Sequence, residues 1–188
     1  MNFKEQKQAA RDHARAHRDS MKIDGTDFEA VIDVFFDHFK PKKDKVISAY
    51  WPSGHEFDGR FLIDELVNRG FQVALPVTSK ETRVMKFHKW NHDTKMEKGA
   101  FGALEPQDGE ELIPDIVIAP FLAFDQRGFR LGQGGGHYDA TIENLRKDKE
   151  IQYVGLGWAE QAVLFKLPRE EHDIPMDYVL SPQGVIDF

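Results

Sequence analysis

Asp115-Ile116-Val117-Ile118-Ala119 is the most strand-like stretch of the chain, because four apolar residues follow one another without interruption. A strand that is apolar on both sides is typical of the centre of a parallel sheet that helices cover on both faces. Two similar runs, at residues 46–50 and 71–75, flank a helical pattern at residues 61–67 that ends at Gly70. This strand–helix–strand unit predicts a right-handed parallel crossover. We therefore expect one α/β domain over residues 1–188, a Rossmann-like three-layer α/β/α sandwich around a mostly parallel, mixed sheet.

The remaining elements follow from periodicity and from residues that start or stop helices. Strong helix formers predict a helix at residues 3–20, and a second helix with an apolar face starts at an N-cap, Thr26, and stops at Pro41. Strands are predicted at residues 84–89 and 153–157 with a final strand at 178–180, helices at 140–148 and 161–165, and a polar loop after Trp90.

The composition limits the classes of function. The 188 residues include 32 acidic and 25 basic side chains, which gives a net charge of −7. Such a balance argues against general binding to nucleic acid or to anionic membranes. Because there is no cysteine, disulfides, a thiolate nucleophile and Cys-ligated zinc are excluded. The polar N-terminus and the lack of a long apolar run predict a cytoplasmic protein, a monomer or small homo-oligomer that binds small molecules.

A glycine-rich run, Arg130-Leu131-Gly132-Gln133-Gly134-Gly135-Gly136-His137-Tyr138-Asp139, precedes a predicted helix. Glycines allow a backbone to turn several N–H groups toward one anion, and the helix N-terminus adds its partial positive charge. No Gly-Lys-Ser/Thr follows, which excludes a Walker A loop, and His137 replaces the third glycine of a dinucleotide fingerprint. The run therefore predicts a phosphate site, with a flexible loop or a tight turn as the alternative.

Two aspartates are candidate magnesium ligands. Asp139 stands where the helix begins, where an aspartate usually serves as the N-cap, although beside a phosphate site a carboxylate also suits Mg²⁺. A second carboxylate is then needed, and Asp173, in a loop between the last two strand-like runs, is the leading candidate. A solvated acidic turn is the alternative for that cluster.

A stripe of basic residues marks the first helix, because Lys4, Lys7, Arg11, Arg15 and Arg18 recur at intervals of three or four and share one face. Like charges at this spacing repel one another, and a bound anion would offset that repulsion. Lys7 and Arg11, one turn apart, could hold one polyphosphate together. A solvated helix face is the alternative interpretation.

Six short motifs follow one another along nearly the whole chain. They are Lys7-x-x-x-Arg11, Leu75-Pro76, Arg83-Val84-Met85-Lys86-Phe87, Gly102-Ala103-Leu104-Glu105-Pro106, the run from Arg130 to Asp139, and His172-Asp173. The glycine-rich run is quite specific, while the others gain weight from their shared order. Together they resemble the 5-formyltetrahydrofolate cyclo-ligase family, also called methenyltetrahydrofolate synthetases.

The resemblance implies an ATP- and Mg²⁺-dependent enzyme that phosphorylates the formyl oxygen of 5-formyltetrahydrofolate and closes the ring to 5,10-methenyltetrahydrofolate, releasing ADP and phosphate. It implies roles in catalysis for Arg130, Lys7 and Asp139, and Mg²⁺ ligation by Asp139 and Asp173. The implied ATP-binding residues are Lys7, Arg11, Arg130, Gly132, Gln133, Gly134, Gly135, Gly136, His137 and Tyr138. The implied reduced-folate contacts are Glu56, Gln133 and His137.

One position departs from the family pattern, which often has two tyrosines before the aspartate, where this chain has His137-Tyr138-Asp139. A histidine still stacks and forms hydrogen bonds, but the substitution changes the expected contact with folate. Two alternatives remain open from the sequence: a non-catalytic or regulatory folate- or nucleotide-binding relative, and a sugar-phosphate isomerase or CoA-transferase-like enzyme on the same scaffold.

Overall fold

A seven-stranded sheet runs through the middle of the computed structural model, which describes residues 2–21, 25 and 27–188. Its strands in chain order are β1 (Val46–Ser48), β2 (Gln72–Val77), β3 (Lys86–Trp90), β6 (Ile116–Pro120), β9 (Gln152–Leu156), β11 (Tyr178–Ser181) and β12 (Gly184–Asp187). Their spatial order is β12-β11-β9-β6-β1-β2-β3. The five inner strands run parallel, and an antiparallel strand closes each edge.

The apolar run at β6 lies near the middle of this sheet, between β1 and β9. Ile116, Val117, Ile118 and Ala119 are all buried, at 3% exposure or less. The chain pairs β1 with β2 on one side and then crosses to place β6 on the other. Ligands of open α/β sheets bind beyond the carboxyl ends of the strands at such a reversal.

Helices cover both faces, which confirms the predicted layered α/β fold with a mostly parallel mixed sheet. The helices of the described residues are α1 (Phe3–Ser20), α2 (Asp27–Phe39), α3 (Arg60–Asn68) and α4 (His137–Leu145). On one face α2 and α3 bury Val31, Phe35, Leu62, Ile63 and Leu66 against the sheet. On the other face Ile142 of α4 packs with Phe121, Phe124, Tyr153 and Met176.

The predicted ends of α2 and α3 are observed, whereas the helix predicted at 140–148 spans His137–Leu145. Gly70 has a φ of 78° and follows α3; its N–H donates to the Val67 carbonyl while the N–H of Phe71 donates to Leu66, a Schellman motif. α2 ends at Phe39, before Pro41, whereas its predicted cap Thr26 lies outside the described residues. No helix in the described ranges is both long and apolar enough to cross a lipid bilayer.

α1 is attached to the rest of the molecule by its small apolar residues. A capping box between Asn2 and Glu5 starts the helix. Ala10 and Ala14 then pack against a small cluster made of Ala123, Leu131, Val163 and Leu167. Because alanines allow close approach, the neighbouring basic residues of the same helix are brought over the carboxyl ends of the strands.

Several sequence predictions are wrong in detail. The region after Trp90 is not only a polar loop, because β4 (Met96–Lys98) and β5 (Leu104–Pro106) form a hairpin there. The predicted helix at 161–165 is instead a 3-10 turn at Ala159–Gln161 followed by β10 (Ala162–Val163). The strand at 178–181 is not the final one, since β12 returns antiparallel to it. These elements are short and partly exposed, and their pairing depends on residues distant in the chain.

Asp125 holds together two loops that reach the candidate site. It ends β7 (Ala123–Asp125), which pairs with β8 (Arg130–Leu131), and its side chain is 2% exposed. One carboxylate oxygen accepts from the N–H groups of Arg127 and Phe129, and the other accepts from the Arg127 guanidinium and the Leu167 N–H. Burial alone would raise the Asp125 pKa, but these donors hold the pKa below its usual range.

Replacing Asp125 with alanine is expected to lower the free energy of unfolding by about 3 kcal/mol or more, because it leaves buried donors without acceptors. Since the folded-state pKa of Asp125 is lowered, its contribution is present above about pH 4 and is lost as the pH falls through the folded pKa. Denaturant unfolding at neutral and acidic pH measures both effects. The exposed Asp187→Ala variant is the control, and equal losses for the two variants would contradict this role.

Candidate active site

A cleft of about 1060 Å³ opens at the carboxyl ends of β1, β2 and β6, between the sheet and α1. Its walls are α1, the loop after β1, the turn of the β4–β5 hairpin, the glycine-rich run and the segment that carries Glu170 and Asp173. The cleft therefore lies at the reversal of strand order, where the fold favours a ligand.

The glycine-rich loop has the geometry of an anion nest. Gly134 and Gly136 have φ angles of 103° and 68°, in the region that favours glycine. Among the described residues, none accepts a hydrogen bond from the backbone N–H groups of residues 134–136. A Cβ at Gly132 would lie 2.7 Å from the Arg130 guanidinium, and one at Gly134 would lie 3.1 Å from that of Arg11. The loop thus packs around arginines while leaving its own donors available.

Arg130 and Asp139 form a buried ion pair at the base of this loop, with side-chain exposures of 7% and 10% and an N–O distance of 3.0 Å. Arg130 also donates to the hydroxyl of Tyr153. Burial disfavours the charge on Arg130, yet Tyr153 and Asp139 raise its pKa above the usual value. Burial likewise raises the pKa of Tyr153 to about 12, so that this hydroxyl stays neutral.

Asp139 is not the N-cap of the helix, contrary to the usual duty expected of an aspartate at a helix start. α4 begins at His137, and its N-cap is Gly136 in the left-handed region, without a side-chain cap. Asp139 lies in the first turn, where its Oδ2 binds Arg130 and its Oδ1 accepts from the N–H of Ile174 at 3.1 Å. The aspartate therefore joins α4 to the residue that follows Asp173.

Lys7 meets an acidic group at one end of the cleft. Its Nζ lies 2.6 Å from Asp173 and 2.9 Å from Glu170, and the residue is 8% exposed. One ligand atom each from Glu170, His172 and Asp173 lies within 4.8 Å of the others, a spacing that suits a cation. The Lys7 hydrogen bond lowers the pKa of Glu170. This end of the cleft already accommodates one positive charge.

The next basic residues of α1 contact the glycine-rich loop. Arg11 donates from Nε to the carbonyl of Gly132 at 3.1 Å. Arg15, one turn further, donates to the Gln133 side chain at 2.9 Å and pairs with Asp12 at 3.1 Å. The basic stripe is therefore not a solvated face throughout, because three of its residues bind groups of the cleft wall.

Glu56 lies on the loop after β1, near Tyr138. Its Oε2 accepts from the N–H of Ser53 at 3.0 Å. Burial raises the Glu56 pKa, although the Ser53 N–H, the charge of Arg18 and a hydrogen bond with Gln133 act against this. A half-buried carboxylate facing a cleft suits a ligand that offers hydrogen-bond donors.

His137 is held by two neighbours. Its Nδ1 lies 3.1 Å from the Arg83 carbonyl oxygen, and its ring lies 4.8 Å from that of Phe101, at the tip of the β4–β5 hairpin. Phe101 is 62% exposed although it lines the cleft. The residue at the position that departs from the family pattern is thus part of an aromatic rim.

The structure brings the sequence-predicted site residues to one cleft. All of them line it: Lys7, Arg11, Glu56, Arg130, Gly132, Gln133, Gly134, Gly135, Gly136, His137, Tyr138, Asp139 and Asp173. Among the tryptophans, Trp51 lines the cleft, whereas Trp90 is 6% exposed in the core. The sequence placed Arg18 in the basic stripe without a role of its own, and no motif included Phe101, yet both line the cleft.

The chain is similar to known proteins along most of its length. The model of the 5-formyltetrahydrofolate cyclo-ligase family matches residues 3–182. The chain belongs to that family. It is an enzyme of the ligase class. The family match does not favour the alternatives raised from the sequence, which were a non-catalytic binder, an isomerase and a CoA-transferase-like enzyme.

Individual relatives have moderate identity. The 5-formyltetrahydrofolate cyclo-ligase of Haemophilus influenzae is 35% identical over 142 residues, which cover 72% of this chain and 75% of that protein. The Escherichia coli K12 enzyme of the same name is 36% identical over 139 residues, covering 71% and 75%. The NMR structure of Aquifex aeolicus 5,10-methenyltetrahydrofolate synthetase is 27% identical with a TM-score of 0.77, over 96% of this chain and 92% of that one.

Replacing Glu56 with glutamine is expected to raise the melting temperature at neutral pH, because burial makes the ionised carboxylate costly. Since the folded-state pKa is raised, the unfolded chain loses this proton first, and wild-type stability falls as the pH rises from about 4 through the folded pKa. Below about pH 4 both proteins carry a neutral side chain and should melt alike. Thermal melts across this range test the effect, and a difference independent of pH would contradict it.

Proposed function

We propose that this enzyme converts 5-formyltetrahydrofolate and ATP to 5,10-methenyltetrahydrofolate, ADP and phosphate in a reaction that requires Mg²⁺. The observation that carries the proposal is a single cleft with an anion nest and basic residues at one side and a half-buried carboxylate, Glu56, at another. Membership of the family and the printed names of its relatives support the same substrate.

The phosphates of ATP would bind between α1 and the glycine-rich loop. Lys7 and Arg11 approach from the helix, Arg130 lies at the base of the loop, and the N–H groups of residues 134–136 are available as donors. A guanidinium offers a planar set of donors that matches phosphate oxygens, and a lysine adds a compact charge. Gln133, His137 and Tyr138 complete the wall on the loop side.

Mg²⁺ would bind at Asp139 and Asp173, with Glu170 and His172 close by. The residues fit a cation, because Asp173 and Glu170 already hold the Lys7 ammonium group within 3 Å. Asp139 is tied to the backbone beside Asp173, which brings both carboxylates to the same end of the cleft. A bound Mg²⁺ supplies neutralisation of charge on phosphate oxygens. Lys7 would then exchange its carboxylate partners for the ATP phosphates.

The chemistry requires alignment more than acid–base catalysis. The formyl oxygen attacks the γ-phosphorus and its bond to the β-phosphate oxygen breaks, releasing ADP. N10 of the folate then attacks the activated formyl carbon and loses its proton, and phosphate leaves as the ring closes. An amide oxygen is a weak nucleophile, so the enzyme must orient it and neutralise the transferring phosphate, which Arg130 and Lys7 are placed to do. Glu56, Gln133 and His137 would orient the folate.

The test of this function is incubation of the protein with 5-formyltetrahydrofolate, ATP and Mg²⁺ while the near-ultraviolet absorbance of methenyltetrahydrofolate is followed. Product should form only when all three are present, with one phosphate released per product. Omission of Mg²⁺, with a chelator present, should abolish turnover. Phosphate release without methenyltetrahydrofolate would show a different phosphoryl acceptor and would overturn the proposal.

Lys7→Ala is expected to raise the apparent KM for ATP by about tenfold or more, because it removes a charged hydrogen bond to phosphate. Steady-state kinetics at saturating 5-formyltetrahydrofolate provide the measurement. Lys147→Ala, an exposed lysine after α4, is the matched control and should leave the KM unchanged. If Lys7→Ala has wild-type ATP kinetics, Lys7 is a structural partner of Asp173 and does not bind nucleotide.

A further inference from the structure

Arg18 is a buried cation with too few hydrogen-bond partners among the residues that the structure describes. It is 7% exposed, lies near the end of α1 and lines the cleft. Its Nε and Nη1 are buried and have no hydrogen-bond partner in the part of the chain that the structure describes. The nearby Asp19 carboxylate oxygen lies 4.0 Å from Nε, which is too long for a hydrogen bond.

Such an arrangement is costly for the free protein. A buried guanidinium with unused donors loses its hydration without gaining equivalent hydrogen bonds. Native proteins rarely leave buried polar atoms unpaired, and those left at the wall of a cleft are candidates for a ligand partner. Arg18 can only donate, so its partner must be a hydrogen-bond acceptor.

The position of Arg18 separates it from the phosphate end of the cleft. It lies 11 residues after Lys7 and 7 after Arg11 on one continuous helix. At 1.5 Å per residue these separations correspond to about 16 Å and about 10 Å along the axis. The residue therefore reaches a different part of the ligand from Lys7.

Arg18 lies near Tyr50 and near Glu56, which is an expected folate contact. Burial raises the pKa of Tyr50 and that of Glu56, whereas the positive charge of Arg18 acts to lower each of these pKa values. Arg18 is therefore close enough to both side chains to interact with them electrostatically. All three residues line the same cleft. Tyr50 is already committed, because its hydroxyl donates to the Phe57 carbonyl at 2.8 Å. Arg18 and Glu56 remain as a donor and an acceptor at the wall of the cleft.

We propose that Arg18 donates hydrogen bonds to the ring carbonyl oxygen of the pterin, beside the ring N–H and amino groups, which donate to the Glu56 carboxylate. The inference rests on the proposed function, because it needs a reduced folate in the cleft. The pterin edge presents one acceptor next to two donors, and an arginine beside a carboxylate is the matching pair. Arg18 is thus a substrate-binding residue that determines specificity for the pterin.

Arg18→Met tests this role with a side chain of similar length and no donors. The KM for 5-formyltetrahydrofolate should rise by about tenfold or more, while the KM for ATP changes by less than about twofold. Arg18→Lys should recover part of the loss. Arg69→Met removes an arginine that pairs with Glu65 outside the cleft and should leave both KM values unchanged. A rise confined to the KM for ATP would overturn the proposal, because Arg18 would then bind nucleotide.

Melting temperature separates binding from a structural role. Because Arg18→Met removes an unpaired buried charge, its melting temperature should equal or exceed that of the wild type. A large fall in melting temperature together with equal losses for both substrates would assign Arg18 to the framework of the fold and overturn the inference.

A truncated substrate identifies the acceptor. 5-Formyltetrahydropteroate lacks the glutamate tail but keeps the pterin, so the loss caused by Arg18→Met should have the same factor with either compound. If the loss disappears with the truncated compound, Arg18 holds the tail carboxylate and the assignment to the pterin is wrong.

Direct binding distinguishes failure of this inference from failure of the proposed function. Calorimetric titration of the wild type and of Arg18→Met with 5-formyltetrahydrofolate, without ATP, measures affinity independently of turnover. Weaker binding by the variant supports the role of Arg18 even if the wild type forms no methenyl product, which would sink the proposed reaction alone. Equal affinity of the two proteins, or no binding by either, overturns the inference.

Discussion

The buried pair of Arg130 and Asp139 is the constraint on which the site depends. Two charges that are 7% and 10% exposed are tolerated only when each is bonded on several sides. Their remaining bonds go to Tyr153 on β9 and to the N–H of Ile174, so one ion pair fixes a strand, a helix and the loop after Asp173. The glycine-rich loop is tethered at both ends by this pair, which holds its glycine-dependent backbone in one conformation.

The packing of α1 explains how an acidic protein presents a basic cleft. A net charge of −7 describes the whole chain, but α1 is held beside the cleft by its alanines and directs Lys7, Arg11 and Arg18 into the cleft wall. In a partly enclosed cleft these charges act with less screening than on the surface. The acidic group around Asp173 lies at one end of the cleft, where it pairs with Lys7.

The sequence was sufficient to predict the structural features that depend on local residue patterns. Apolar runs predicted the inner parallel strands, and Gly70 predicted the end of α3. Two kinds of feature could not be predicted from local patterns. The start of α4 depends on Gly136 adopting a left-handed conformation, and no capping side chain marks that position in the sequence. The strands at residues 96–106 and 184–187 are short and partly exposed, so their stability comes from cross-strand partners rather than from their own pattern.

The candidate site illustrates the same limit at the level of single residues. Spacing placed the cations of α1 on one face, but it could not rank them, because their environments come from distant parts of the chain. Lys7 pairs with Glu170 and Asp173, and Arg11 donates to the Gly132 carbonyl. Arg18 is buried near Tyr50 and Glu56, and two of its nitrogens have no hydrogen-bond partner among the described residues. Basic residues that are equivalent in the helical stripe thus have different chemical environments in the folded protein. A residue that the fold buries but does not satisfy indicates where the ligand must supply the missing partner.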